Sequence, residues 1–235
     1  REIRRLQDEV KKREKLAAIG NLAAGIAHEV RNPLSSIKGY VTYFSSLFEK
    51  GSSNKQAAQV MASEVDRLNR VISELLEFAR PSDLKVRQTN VGELIDNSLR
   101  LIAQEAENAG IEIVRKIDKD LQVSIDADRM AQALLNLYVN ALQAMEHGGC
   151  LGIRVQERDQ NHFQIEISDT GKGIFEEDQA RIFDPYFTTK SKGTGLGLAI
   201  VQKIVEAHQG TVQIESTAQG TVFTLILPLL EGNDK

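Results

Sequence analysis

His28 stands in the stretch HEVRNPL, between Ile26 and Val30 of an apolar stripe at helical spacing. Each neighbour in the stripe is two residues away, about 200° around a helix of 3.6 residues per turn, so the imidazole points away from the stripe and into solvent. A lone exposed His is ordinarily a surface residue, but its surroundings here are chemical. Glu29 can hold or deprotonate the ring and leave the other nitrogen as a nucleophile. Asn32, four residues on, shares the His face. Pro33 removes the hydrogen bond its amide would make to the Glu29 carbonyl, a loss of about 3 kcal/mol in a helix interior. The resulting kink is either a weakness used in a bending motion or a tolerated bend.

A second constellation lies further along the chain. Asn136 and Asn140, four apart in NLYVNALQA, share a helix face and carry amide oxygens suited to a hard cation such as Mg2+. The sequence Asp169-Thr170-Gly171-Lys172-Gly173 ends an apolar strand, so it presents a carboxylate at a strand tip beside backbone that lets a flat ligand come close. Gly193-Thr194-Gly195-Leu196-Gly197 precedes a helix, and free amides at a helix start suit phosphate oxygens. That run is neither GxxxxGK[ST] nor preceded by a strand, which excludes a Walker loop and a dinucleotide fingerprint. Lys190, in FTTKSKG, is available as a phosphate counter-charge. Taken one at a time, these features are also a polar helix face, an Asp-rich turn and a solvated Lys.

The elements that must position these residues divide the chain. The first 80 residues lack strand-like alternation and read as two long helices. Ile3, Leu6 and Val10 begin a heptad, and Leu16, Ile19, Ala23, Ile26 and Val30 continue one residue out of register, a slip that alters supercoiling. EKGSSN, from Glu49 to Asn54, is a turn. Met61, Val65, Leu68, Ile72, Leu75 and Ala79 form the stripe of the second helix, which stops near Pro81. A lone hairpin leaves such stripes partly wet, so two hairpins pairing into a four-helix bundle, and hence a homodimer, is the expected solution.

From about Val86 the pattern is mixed. It predicts a helix over 91–109, strands over 111–116 and 123–125, a helix over 128–145, strands over 152–156 and 163–168, a helix over 195–208, and a hairpin of 211–216 with 221–227. This is an α+β sandwich, a sheet covered on one face by helices. The loop from Gly173 to Gly193 exceeds ordinary connection length and suggests a lid. The expected organisation is 1–15, 16–82, a linker 83–87, 88–230 and a tail 231–235.

Composition sets the outer limits. The 235 residues are 26% charged and 41% hydrophobic, with a net charge of −4, no Trp and a single Cys. A chain of this length suits two domains, and the charge gives no reason to expect nucleic-acid binding. Cys150 has no intrachain partner and reads as a small buried apolar residue. No stretch approaches the roughly 18–20 apolar residues of a membrane span. The chain starts at Arg1, in mid-helix by its pattern, and reads as a piece whose sensing and membrane parts lie upstream.

Together the motifs closely resemble those of the sensor histidine kinases. HEVRNPL looks like the H box, Asn136 to Ala144 the N box, DTGKG and GTGLGL the two glycine boxes, FDPYF the F box, and GTVFTLILP the closing motif. HEVRNPLSSIKG and FDPYFTTK look like the nitrogen-regulatory branch, with similarity extending to zinc-responsive envelope-stress sensors. The resemblance implies an all-α dimerisation hairpin followed by an α+β ATP-binding domain of the histidine kinase, gyrase, Hsp90 and MutL type. It implies ATP and Mg2+ as cofactors, His28 as phospho-acceptor, Glu29 as its base, and Asn32 as a residue that positions water for phosphatase action. Asn140 is then the Mg2+ ligand with Asn136 nearby, and Asp169 takes the adenine amino group. Gly171 and Gly173 allow close approach there and Thr221 helps. Lys190 and Gly193, Thr194, Gly195, Leu196 and Gly197 cover the phosphates. The implied partner is a response-regulator receiver domain, of the sigma-54-dependent activator type in this branch, with membrane attachment only through upstream segments. Two rivals remain on residues alone: an ATPase of the same superfamily in which no His is phosphorylated, and a nucleotide-sensing scaffold. The H box speaks against the first, and intact Glu29, Asn140 and Asp169 against the second.

Overall fold

The computed structural model describes residues 29–79, 83–117, 121–190 and 193–229. The predicted heptads before residue 29, His28 itself, residues 80–82 at the end of the expected 16–82 domain and the tail lie outside the described residues. The chain divides into two compact units, Arg1–Pro81 and Ser82–Lys235.

In the first unit α1 covers residues 29–47 and α2 covers Ser53–Ala79. Arg31 Nη2 donates to Ser73 Oγ at 3.2 Å, and Lys38 Nζ donates to Asp66 Oδ1 at 2.5 Å. Seven residues forward on one helix answer seven back on the other, so the pair is antiparallel. Leu34 and Val41 in α1, and Ala58 and Val65 in α2, are buried at the same heptad step. The turn is built by Gly51 at φ 84° and by Ser52, whose hydroxyl accepts from the Lys55 amide at 3.3 Å and so caps α2. Much apolar surface stays open in the single chain: Tyr40, Tyr43, Phe44, Leu47, Val60 and Met61 are all exposed.

The second unit runs β1 (Arg87–Asn90), α3 (Val91–Arg100), α4 (Ala103–Asn108), β2 (Ile111–Ile117), β3 (Gln122–Ile125), α5 (Ala127–Ala144), β4 (Gly149–Asp159), β5 (His162–Asp169), α6 (Glu176–Gln179), α7 (Gly197–Ala207), β6 (Thr211–Thr217) and β7 (Gly220–Pro228). The main sheet has the order β2-β4-β5-β7-β6, with β2 and β4 parallel and the other neighbours antiparallel. Alternate residues of the three central strands face one way and are buried: Leu151, Ile153 and Val155, then Phe163, Ile165 and Ile167, then Phe223, Leu225 and Leu227. α5 and α7 lie across that face with Met130, Leu134, Leu137, Val201 and Val205 buried against it. On the other face Arg154 and Glu166 pair at 3.8 Å. This is the expected α+β arrangement, with helices on one side of the sheet.

Four local expectations change. The single helix expected over 91–109 is two helices. The amides of Leu101 and Ile102 bond three residues back, to Ser98 and Leu99, before the α pattern resumes with Ala106 on Ile102. Ile102 and Ala106 stay buried through the break, so the apolar spacing carries no sign of it. The polar segment Arg87–Asn90 is a strand because it pairs with β3, from Arg87 opposite Ile125 to Asn90 opposite Gln122. The long loop holds a one-turn helix, α6. Cys150, expected to be buried, is half-buried on β4.

Candidate functional site

In the first unit Glu29 and Asn32 are exposed on α1. The helix continues through Pro33 without interruption. The hydroxyls of Ser35 and Ser36 donate back to the carbonyls of Arg31 and Asn32, four residues earlier on the same helix.

The other candidate residues meet in the second unit. α5 starts at Asp126, whose Oδ1 accepts from the Arg129 amide at 3.1 Å. The same carboxylate takes the Lys85 amide on Oδ2 at 2.8 Å. Burial alone raises the pKa of Asp126, but the amides of Lys85, Arg129 and Asp128 and the nearby His208 outweigh it and hold the carboxyl below its ordinary value. His208, at the end of α7, accepts the Asp126 amide on Nε2 at 3.0 Å and donates from Nδ1 to the Ile204 carbonyl at 2.8 Å. That tie fixes the start of α5 against the end of α7. At the start of α7, Asn136 Nδ2, from the middle of α5, donates to the Gly197 carbonyl at 3.3 Å. Both ends of α7 are therefore pinned to α5, and the glycine loop that opens α7 is held over the Asn-bearing face of α5.

Asp169 closes β5 and pairs with Thr221 across the sheet. Its Oδ1 accepts the Gly171 amide at 2.9 Å. Burial pushes the carboxyl above its ordinary value, against the lowering effect of the Gly171 and Thr221 amides and the Lys190 charge. The Thr221 hydroxyl is buried against Ser216 Oγ at 2.9 Å, so this residue meets Asp169 through its backbone. Gly173 has φ 69°, and a Cβ there would strike the Thr217 carbonyl.

The loop after α6 is fastened to the sheet by Phe183, whose ring meets Phe223 edge-on at 6.5 Å between centroids. Arg181 lies over the Phe187 ring at 4.6 Å. The Tyr186 amide donates to the Gly195 carbonyl at 3.0 Å, and Gly195, at φ 70°, would drive a Cβ into the Tyr186–Phe187 backbone. The Gly193 amide returns to the Lys190 carbonyl, the Leu196 amide to the Thr194 hydroxyl, and buried Leu196 leads into α7 at Gly197. Lys190 reaches across to α5, where its ammonium donates to Asn140 Oδ1 at 2.9 Å and Gln143 Oε1 at 2.8 Å. Burial and the charge of Lys172 hold Lys190 below its ordinary value, with Asp169 opposing. Sequence reasoning missed Gln143, Asp126 and His208. The first shares the face of Asn140 at a three-residue step; the other two carry no spacing signal.

Comparison with known proteins follows the same division. The model of the His Kinase A (phospho-acceptor) domain matches residues 18–83, and that of the histidine kinase-, DNA gyrase B- and HSP90-like ATPase matches residues 125–231. The sensor histidine kinase ZraS of Escherichia coli is 48% identical over 95% of this chain and 48% of its own length. The chain thus spans about half the length of that relative. Among solved structures, the catalytic domain of histidine kinase ThkA is 32% identical, with TM-score 0.58 over 62% of this chain and 96% of that one. ThkA in complex with the response regulator TrrA superposes with TM-score 0.70 at 29% identity, over 98% of this chain and 67% of that one. Full-length ShkA in complex with AMPPNP gives TM-score 0.76 at 26% identity, over 90% of this chain and 46% of that one.

Proposed function

Because this chain belongs to the sensor histidine kinases, we propose that it binds ATP in its α+β unit, phosphorylates its own His28 and passes the phosphoryl group to an aspartate of a response-regulator receiver domain. The observation that carries the reading is that Lys190 joins the Asn140 face of α5, over which the Gly193–Gly197 loop is held, to the neighbourhood of Asp169, whose charge it meets. A half-buried carboxylate, a glycine loop at a helix start and an ammonium are the groups that a purine, a phosphate chain and its charge require. AMPPNP in the ShkA complex and TrrA in the ThkA complex support nucleotide and receiver as the ligand classes.

In this reading Asp169 accepts the adenine amino group, Gly171 and Gly173 let the base approach, and Thr221 steadies the carboxylate through its amide. Lys190 and the amides of Gly193 to Gly197 take the phosphates. The residues present suit Mg2+, since Asn140 already turns its amide oxygen to a cation, the Lys190 ammonium. Bound there by Asn140, Mg2+ supplies charge neutralisation to the phosphate oxygens. The His28 ring nitrogen attacks the γ-phosphorus, the bond to the bridging oxygen breaks and ADP leaves. Glu29 receives the ring proton. Positioning and charge supply most of the rate in such a transfer.

The same reading makes the chain a homodimer, supported by the apolar residues that α1 and α2 leave exposed. It makes the unphosphorylated kinase a phosphatase of its receiver, with Asn32 positioning the water, and makes the receiver that of a sigma-54-dependent activator. The reading assigns residues 1–15 to the incoming signal and 83–87 to the linker between a phosphotransfer domain 16–82 and a catalytic domain 88–230. We place this part of the protein on the cytoplasmic side of an inner membrane reached through upstream segments; among the described residues no helix is long and apolar enough to cross one. The test is ATP labelled at the γ-phosphate: label retained on the protein supports the kinase, and ATP binding with no label retained supports an ATPase or a scaffold.

A further inference from the structure

Gln143 is an exposed residue that contributes nothing to the core, yet it shares a ligand with Asn140. The two lie three apart on α5 and so present their amides on one face. One ammonium, that of Lys190, lies 2.9 Å from Asn140 Oδ1 and 2.8 Å from Gln143 Oε1. An ammonium has donors only, so the atoms turned to it are both carbonyl-type oxygens and not amide nitrogens. Two neutral oxygens converging on one positive centre are a donor pair for a hard divalent cation, which takes one or two protein ligands and completes its shell with water and phosphate.

We propose that Gln143 is a second amide ligand, beside Asn140, for the divalent cation that accompanies the nucleotide, and that the Lys190 ammonium occupies this place until the cation displaces it. The inference rests on the proposed nucleotide site and names a residue of the NLYVNALQA stretch that neither the residue types nor the resemblance gave a role. Once displaced, the ammonium is free to meet phosphate oxygens from the same loop. Loss of one oxygen weakens a divalent ion more than it weakens an ammonium, since the attraction scales with charge.

The experiment is a Mg2+ titration of the affinity for a fluorescent ADP analogue, in the wild-type chain and in Gln143→Met, which keeps length and flexibility and removes the oxygen. The expected result is a half-saturating Mg2+ concentration raised about tenfold, the scale of a lost metal-supporting contact, with nucleotide affinity in EDTA unchanged. A half-saturating concentration equal to wild type, or an equal loss of affinity with and without Mg2+, overturns the inference and leaves the proposed function standing. Absence of nucleotide binding in the wild type overturns both.

Discussion

Replacing Asp169 by Asn changes the least in the structure for the most in binding. The variant keeps an oxygen to accept the Gly171 amide, now held at 2.9 Å, so the strand tip and the turn after it stay in place. What changes is the other end of the group: an acceptor-only carboxylate becomes an amide that also carries two donors. Against the adenine amino group the charged acceptor is lost, a hydrogen bond worth about 1.5–3 kcal/mol. At about 1.4 kcal/mol per decade this weakens ATP by about tenfold to a hundredfold. The new amide donor suits the C6 carbonyl of guanine, so the preference for ATP over GTP falls with it. Isothermal titration with each nucleotide, alongside a thermal melt to show that the fold persists, measures both. ATP affinity within about twofold of wild type would refute the assignment of Asp169 to the base.

Two further outcomes follow from the same geometry. Burial raises the Asp169 pKa, so the carboxylate is lost as pH falls through a value above the ordinary 3.8. ATP affinity measured against pH therefore fades at a higher pH than an unperturbed Asp would give, and Asp169→Asn abolishes that dependence. For Asp126 the sign is opposite: its folded pKa is depressed, so its contribution to stability is present above 3.8 and is lost as pH falls through the lower folded value. Asp126→Ala removes the cap of α5 and the anchor of Lys85, and denaturation at neutral pH is expected to show a loss of about 1–2 kcal/mol that shrinks on acidification.

The sheet and its covering helices were legible because Phe163, Ile165 and Ile167 alternate while Met130, Leu134 and Leu137 recur at helical steps, and both periods survive into the packing. The break between α3 and α4 was not, since Ile102 and Ala106 keep the helical spacing across it. β1 was hidden for the opposite reason: Arg87–Asn90 has no apolar residue and is a strand only through its partner. At the site, Asp169, Asn140 and the glycines are visible as residue types at spacings that chemistry demands. The partners that hold them are not. Nothing in the sequence ties Asp126 to His208 or Lys190 to Gln143, because those contacts join segments dozens of residues apart. Thr221 shows the intermediate case, a position readable from its motif whose contribution comes from its backbone rather than its hydroxyl.

The most direct test of the central claim is the chemistry and position of the phosphate. The chain is incubated with γ-labelled ATP and Mg2+ beside His28→Gln, and the label is treated with acid and with base. The account predicts label that is acid-labile, base-stable and absent from His28→Gln; label that survives acid, or that persists in the variant, contradicts it.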